Sequence, residues 1–319
     1  MPHLSRITLF SLFFLLLSIT AHSTAQAPAA WSSSDATHAI GLPNVKPNEK
    51  GSLAISTTAL TFTGKLNRST LPLDSLLEAS AGNERVELWG IKGRLLRMAI
   101  PNGGGLLAAT VMHHRVDMLA IAFLDANHGY HQAVFYMPAK EAEHALQVLS
   151  ASVPSTHPPL PATTCEAASA PGPSVRILLP EWNNAEVPPG YRALVYEHLV
   201  AAFEHAPAAG HVFRDGESDP GGACPVYMVQ ISIHTFRHGN QIVRASMGPA
   251  GFFVGTTQIT FDVKTLDHQQ QLVFEDQSKT TIRGESESTT VAQKMARKVV
   301  KTYTQRIPAQ PASHRPASR

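Results

Sequence analysis

The stretch Val116-Asp117-Met118-Leu119-Ala120-Ile121-Ala122-Phe123-Leu124 decides the fold class, because Asp117 is its one charged side chain and no polar alternation interrupts the rest. A strand with one wet face alternates apolar and polar residues, whereas a strand covered on both faces runs apolar throughout. Ala126-Asn127-His128-Gly129 follows as a turn, and His131 to Met137 returns as a second strand. The period then switches. Pro138 to Ala151 places Ala142, Ala145, Leu146 and Leu149 at i, i+3, i+4 and i+7, the stripe of an amphipathic helix with Pro138 in its first turn. Strands joined by tight turns and closed by a helix give an α+β chain.

Upstream, Leu53 and Ile55, then Leu60 and Phe62, alternate with polar neighbours. Leu71 to Leu77, Glu84 to Trp89 and Leu95 to Ile100 extend the series, divided by Ala81-Gly82-Asn83 and Asn102-Gly103-Gly104-Gly105. Gln26 to Lys50 is rich in Ala, Ser, Pro and Asn without periodicity, so 26–50 reads as a disordered lead-in. Residues 51–151 thus offer about seven strands and one helix, a layout that resembles the pleckstrin-homology-like barrel. That resemblance implies an antiparallel barrel capped by one helix. Ser56 to Ala59, between the first two strands, lacks the basic cluster by which some members hold phosphoinositides, so no head-group role carries over.

Residues 152–174 contain Pro154, Pro158, Pro159, Pro161, Pro171 and Pro173 among Ala, Ser and Thr, and read as a semi-rigid linker between two domains. In 175–307 the reading is a strand at Val175 to Leu179, a helix from Tyr191 to Ala206, and a short strand at His211 to Arg214. Val226 to Arg237 alternates most clearly, with Tyr227, Val229, Ile231 and Ile233 on one face and Gln230, Ser232 and His234 on the other. Gly239-Asn240 reads as a hairpin returning through Ile242 to Met247, and Ile259 to Val263 folds back on Leu272 to Phe274. Thr290 to Ile307 is an amphipathic helix with Val291, Met295, Val299 and Tyr303 inward and Lys294, Arg297, Lys298 and Lys301 outward. The expected second domain is an α/β sandwich with a mostly antiparallel sheet and two helices. Residues 308–319, rich in Pro, Ala and Ser, read as a disordered tail.

Arg244, Gly248, Gly251 and Gly255, followed by the hairpin around Phe261-Asp262-Val263-Lys264-Thr265-Leu266-Asp267, resemble a bacterial family of unknown function found in exported proteins and envelope lipoproteins. Pro249 amid the glycines departs from its pattern. The resemblance implies an exported, non-catalytic α/β domain of the envelope-assembly kind, with a protein partner, and it supplies no ligand or cofactor. The glycines stand between strands and not before a helix, so they read as bulges or close backbone packing and not as a phosphate cradle.

The front of the chain reads as an address. Met1 to Arg6 is short and positive, Ile7 to Ile19 is apolar apart from Thr8, Ser11 and Ser18, and Ala21 to Ala27 is small and polar. That run is shorter than the roughly 20 apolar residues of a spanning helix, so residues 1–25 are expected to be a secretory signal cleaved after Ala25. No Cys follows to carry a lipid, which places the mature chain in the periplasm or outside the cell, with no membrane-spanning segment left after cleavage. Cys165 and Cys224 are the two cysteines, and in an oxidising compartment they are expected to form a disulfide closing a loop of about 60 residues.

A net charge of +2 gives no broad reason to expect nucleic acid as a partner. No G-x-S-x-G elbow occurs. Histidine, present 16 times, raises metal binding: His113-His114 with Asp117, His128 with His131, and His234 with His238 on one strand face. Adjacent residues of a strand point to opposite faces, which parts His113 from His114, and no H-E-x-x-H occurs. No metal, cofactor or catalytic residue is therefore assigned. The expected protein is an exported, non-catalytic scaffold for a protein or ligand, and the alternative is a metal-dependent hydrolase using the histidines, His234 and His238 above all.

Overall fold

The computed structural model describes residues 30–87, 113–138, 140–151, 173–218, 224–239, 254–283 and 288–307. The chain builds a seven-stranded sheet from β1 (Trp31–Ile40), β2 (Glu49–Ile55), β3 (Ala59–Gly64), β4 (Arg68–Pro72), β5 (Leu76–Glu87), β6 (His113–Leu124) and β7 (Tyr130–Met137). Their order is β4-β3-β2-β1-β7-β6-β5, with every neighbour antiparallel. Strand β6 is covered on both faces, as its unbroken apolar run requires. Leu119, Ile121 and Phe123 enter one core with Leu53, Phe62 and Phe135, while Met118, Ala120 and Ala122 enter a second.

Four expectations for this half are corrected. Residues 26–50 are not a disordered lead-in from Trp31 onward: β1 lies between β2 and β7 and buries Ala36, His38, Ala39 and Ile40. Its pairing shifts register between Ser33 and Ala36 and again between His38 and Ile40. Each shift breaks the two-residue alternation that would have announced a strand. The sheet also does not close into a barrel. The expected strand Leu71 to Leu77 is split by a 3-10 turn at Leu73–Ser75, and its two parts, β4 and β5, take opposite edges of the sheet. Strand β5 then runs straight through the expected turn at Ala81-Gly82-Asn83, with Gly82 opposite Met118. The expected helix holds: α1 (Glu141–Ser150) buries Ala142, Ala145 and Leu149 in the first core.

The second sheet has the order β12-β11-β10-β8-β9, from β8 (Ser174–Ile177), β9 (His211–Arg214), β10 (Tyr227–Arg237), β11 (Thr257–Asp267) and β12 (Leu272–Ile282). It is mixed and not mostly antiparallel: β10–β11 and β11–β12 are antiparallel, while β10–β8 and β8–β9 are parallel. The crossover between β8 and β9 is helix α2 (Pro189–Glu204), as parallel neighbours require. Helix α3 (Thr290–Arg306) docks Val291, Met295, Val299 and Tyr303 and leaves Lys294, Arg297, Lys298 and Lys301 exposed. No helix among the described residues is long and apolar enough to cross a membrane.

Helix α2 joins the two sheets. It buries Tyr191, Ala193, Leu194, Val195, Tyr196, Glu197, Leu199, Val200 and Phe203, residues that go all the way round its axis. One side meets Val175, Ile177, Val229 and Ile231 of the second sheet, and the other meets Met118, Ala120, Ala122 and Val134 of the first, all in one apolar cluster. Where the sequence reads as two bodies on a tether, the described residues share a core.

Candidate functional site: the polar junction between the sheets

Among the groups that face each other across this junction, Glu197 is the centre. It sits mid-helix on α2 at 2% exposure, and a carboxylate there requires partners. Its Oε1 accepts from the backbone N–H of Gln132 on β7 (2.7 Å) and from Arg214 Nη1 (2.9 Å), and its Oε2 accepts from Arg214 Nη2 (3.0 Å). This is the two-pronged guanidinium–carboxylate geometry. Arg214 Nη1 also donates to the Tyr130 carbonyl at 3.1 Å. Burial opposes the charge on Arg214, but Glu197 outweighs it and raises the guanidinium's pKa.

The next residue completes the stitching. Asp215 N–H donates to the Tyr196 hydroxyl (3.0 Å), its Oδ2 accepts from Leu179 N–H (2.8 Å), and its carbonyl accepts from Tyr130 N–H (2.9 Å). Ser218 N–H donates to the Asn127 carbonyl in the β6–β7 turn at 2.9 Å. Tyr130 and Tyr196 pack edge to face at 5.5 Å, and burial raises the pKa of both phenols, so both stay protonated. The turn itself is locked by Asp125, whose Oδ1 accepts from the N–H groups of Asn127 and Gly129 and whose Oδ2 meets His131 Nε2 at 3.2 Å. Burial acts to raise Asp125, and these partners outweigh it to leave the carboxyl lowered. Beside the junction, Glu78, Ser80, Gln132 and Arg192 line a cavity of about 60 Å³. That holds a few water molecules, against the several hundred Å³ of a metabolite pocket. The junction's charges meet one another and the backbone.

The residues singled out from sequence fall elsewhere. His131 stacks on Phe123 at 5.0 Å and is bonded to Asp125, while His128 takes a left-handed turn conformation (φ 64°). His113 and His114 lie on β6 opposite Glu87 and Val86, and Asp117 is buried further along it. His234 and His238 do not share a face, which corrects the expectation. A bulge between Ile233 and Thr235 inverts the alternation, so His234 meets Asp262 on the wet side while His238 Nε2 meets the Tyr191 hydroxyl of α2 at 3.1 Å. No group of three or more His, Cys, Asp or Glu placed to hold a metal ion occurs among the described residues. Cys224 is buried at 2% exposure, and Cys165 lies outside the described residues, as do Arg244, Gly248 and Gly251. Gly255 has φ 67°, and a Cβ added at Gly239 would run into its carbonyl oxygen, a close backbone approach. Glu197, Arg214 and Asp215 were not foreseen. The signal available was an acidic residue inside a helix that is apolar on every side.

No protein-family model matches the chain, and no curated protein matches it. Among solved structures it is similar to the PelC dodecamer from Paraburkholderia phytofirmans, with 15% identity and a TM-score of 0.32 over 45% of this chain and 96% of that one. A single-residue variant of the same protein in another crystal form gives 15%, 0.30, 42% and 90%. Protein XCC0632 from Xanthomonas campestris, of family DUF330, is similar at 14% identity and a TM-score of 0.26 over 46% of this chain and 87% of that one. Likenesses at these scores carry nothing about the role or assembly of this chain.

Proposed function

We propose that the chain is an exported, non-catalytic protein of the bacterial envelope or periplasm that serves as a rigid scaffold for a protein or small ligand. The observation that carries this reading is the junction: Glu197 and Arg214 pair with each other and with the backbone, and Asp215 accepts from the Leu179 N–H, so the buried charges are spent on fixing one sheet against the other. Such an arrangement suits a body that presents surfaces. The leader-like segment of residues 1–25 supports export, and export in turn supports a Cys165–Cys224 disulfide, worth roughly 4 kcal/mol on the chain-entropy view.

Expression in a Gram-negative host, fractionation and intact-mass analysis without reductant test the reading together. The expected species begins at Gln26, is released with the periplasm, and gains two hydrogens on reduction. A full-length chain retained in the cytosol contradicts export, and two free thiols in the periplasmic species contradict the bridge.

A further inference from the structure

Strand β12 ends the second sheet, with β11 on one side and no described strand on the other. The directions of its backbone groups follow from the far side of the sheet. Ile231 O accepts from Glu181 N–H, Val229 O accepts from Leu178 N–H, and Ile233 N–H donates to Glu181 O. The odd residues of β10 therefore address that side, and the even residues Met228, Gln230 and Ser232 address β11. Their partners Leu266, Lys264 and Asp262 point back at β10. Thr265, Val263 and Phe261 must then point at β12, where they meet Phe274, Asp276 and Ser278. What remains aimed outward are the backbone N–H and C=O groups of Glu275, Gln277, Lys279 and Thr281. Lys298 Nζ donating to Lys279 O at 3.2 Å marks the same direction independently.

We propose that this edge pairs with the same edge of a second copy of the chain, antiparallel, with the two-fold axis at Gln277. In that register Glu275 of each copy lies opposite Lys279 of the other, and Gln277 lies opposite itself. The neighbouring registers do worse: an axis at Glu275, Asp276 or Lys279 sets a like charge against itself, and an axis at Ser278 opposes no charges at all. Directly opposed unlike charges favour strand pairing and like charges oppose it. Glu275, Gln277 and Lys279 are exposed, on the face turned away from the helices. The same pairing brings Thr281 and Ile282 of one copy beside Val273 and Leu272 of the other, which stand 44% and 57% exposed. To a foreign strand, exposed charges such as Glu275 and Lys279 are a deterrent. Within one copy Glu275 already meets Lys264 of β11 at 3.4 Å; a second copy sets its Lys279 on the open side of Glu275, while the flexible Lys298 stem swings its ammonium off the Lys279 carbonyl. The result is one continuous sheet through two copies. It rests on strand geometry and charge, not on the export reading.

Sedimentation of the mature protein across the micromolar range tests this. The expected result is a dimer that Glu275→Lys or Lys279→Glu each weakens by about tenfold or more, and that the double exchange restores. Gln277→Pro removes an outward N–H without touching the β11 ladder, so it should give a folded monomer, checked by thermal unfolding. The charge exchange decides alone if that variant does not fold. A monomer at every concentration, or a dimer indifferent to the single charge reversals, overturns the proposal.

Discussion

Glu197 shows what a single residue does here. Glu197→Gln keeps the shape but leaves the Arg214 guanidinium buried beside a neutral amide, so urea unfolding should register a loss of about 3 kcal/mol. Replacing both, Glu197→Leu with Arg214→Met, should cost less than the sum of the two single changes, because neither is then stranded. Additive losses would show that the pair is not coupled. Histidines set the acid response. His38 is fully buried, with Nε2 accepting from Leu42 N–H at 3.0 Å, which leaves Nδ1–H to donate to the Lys46 carbonyl and fixes the neutral ring. Desolvation by burial lowers His38, His131 and His198, the last to about 4. Each ring then binds its proton more readily in the unfolded chain, so this stability is complete above about pH 6.5 and declines as pH falls from there toward 4. Unfolding midpoints in urea should drop over that window. A flat profile from pH 7 to 4.5 would remove the argument. None of these partners was legible in the sequence, since Arg214 lies 17 residues from Glu197 and Gln132 lies 65 from it. The inverted placement of His238 was equally hidden, because a one-residue bulge leaves no periodic trace.

At the scale of elements, legibility followed regularity. Strand β6 announced its two covered faces, α1 its stripe, and β10 its alternation, because in each the burial repeats with the backbone. Strand β1 did not, since two register shifts interrupt it within Trp31–Ile40. Its end is held by Gly41, which has φ 102° and sits so close to β7 that a Cβ would run into the Gln132 carbonyl. Gly41→Ala should therefore cost about 2 kcal/mol or more and push β1 away from β7. Thermal unfolding measures the loss, and an unchanged midpoint would mean that β1 is not anchored there. Helix α2 carries one apolar stripe at Val195, Leu199 and Phe203, the side a single core would take. Its apolar residues on the remaining side, Leu194 and Val200, were the available sign of a second neighbour.

For the whole molecule, the proline-rich stretch 152–174 suggested a division that the described packing does not respect. Linker composition reports on the chain between two segments and says nothing about whether those segments touch. A helix buried on all sides and an ion pair shared by three elements make the two sheets unfold together. Hydrogen exchange followed by mass spectrometry in increasing urea reads this most directly, through the amides of β6 and β7 on one side and of β10 and β11 on the other. Both sets should lose protection at one urea concentration, with Glu197→Gln moving them apart. Two separate transitions in the unaltered protein would contradict the account.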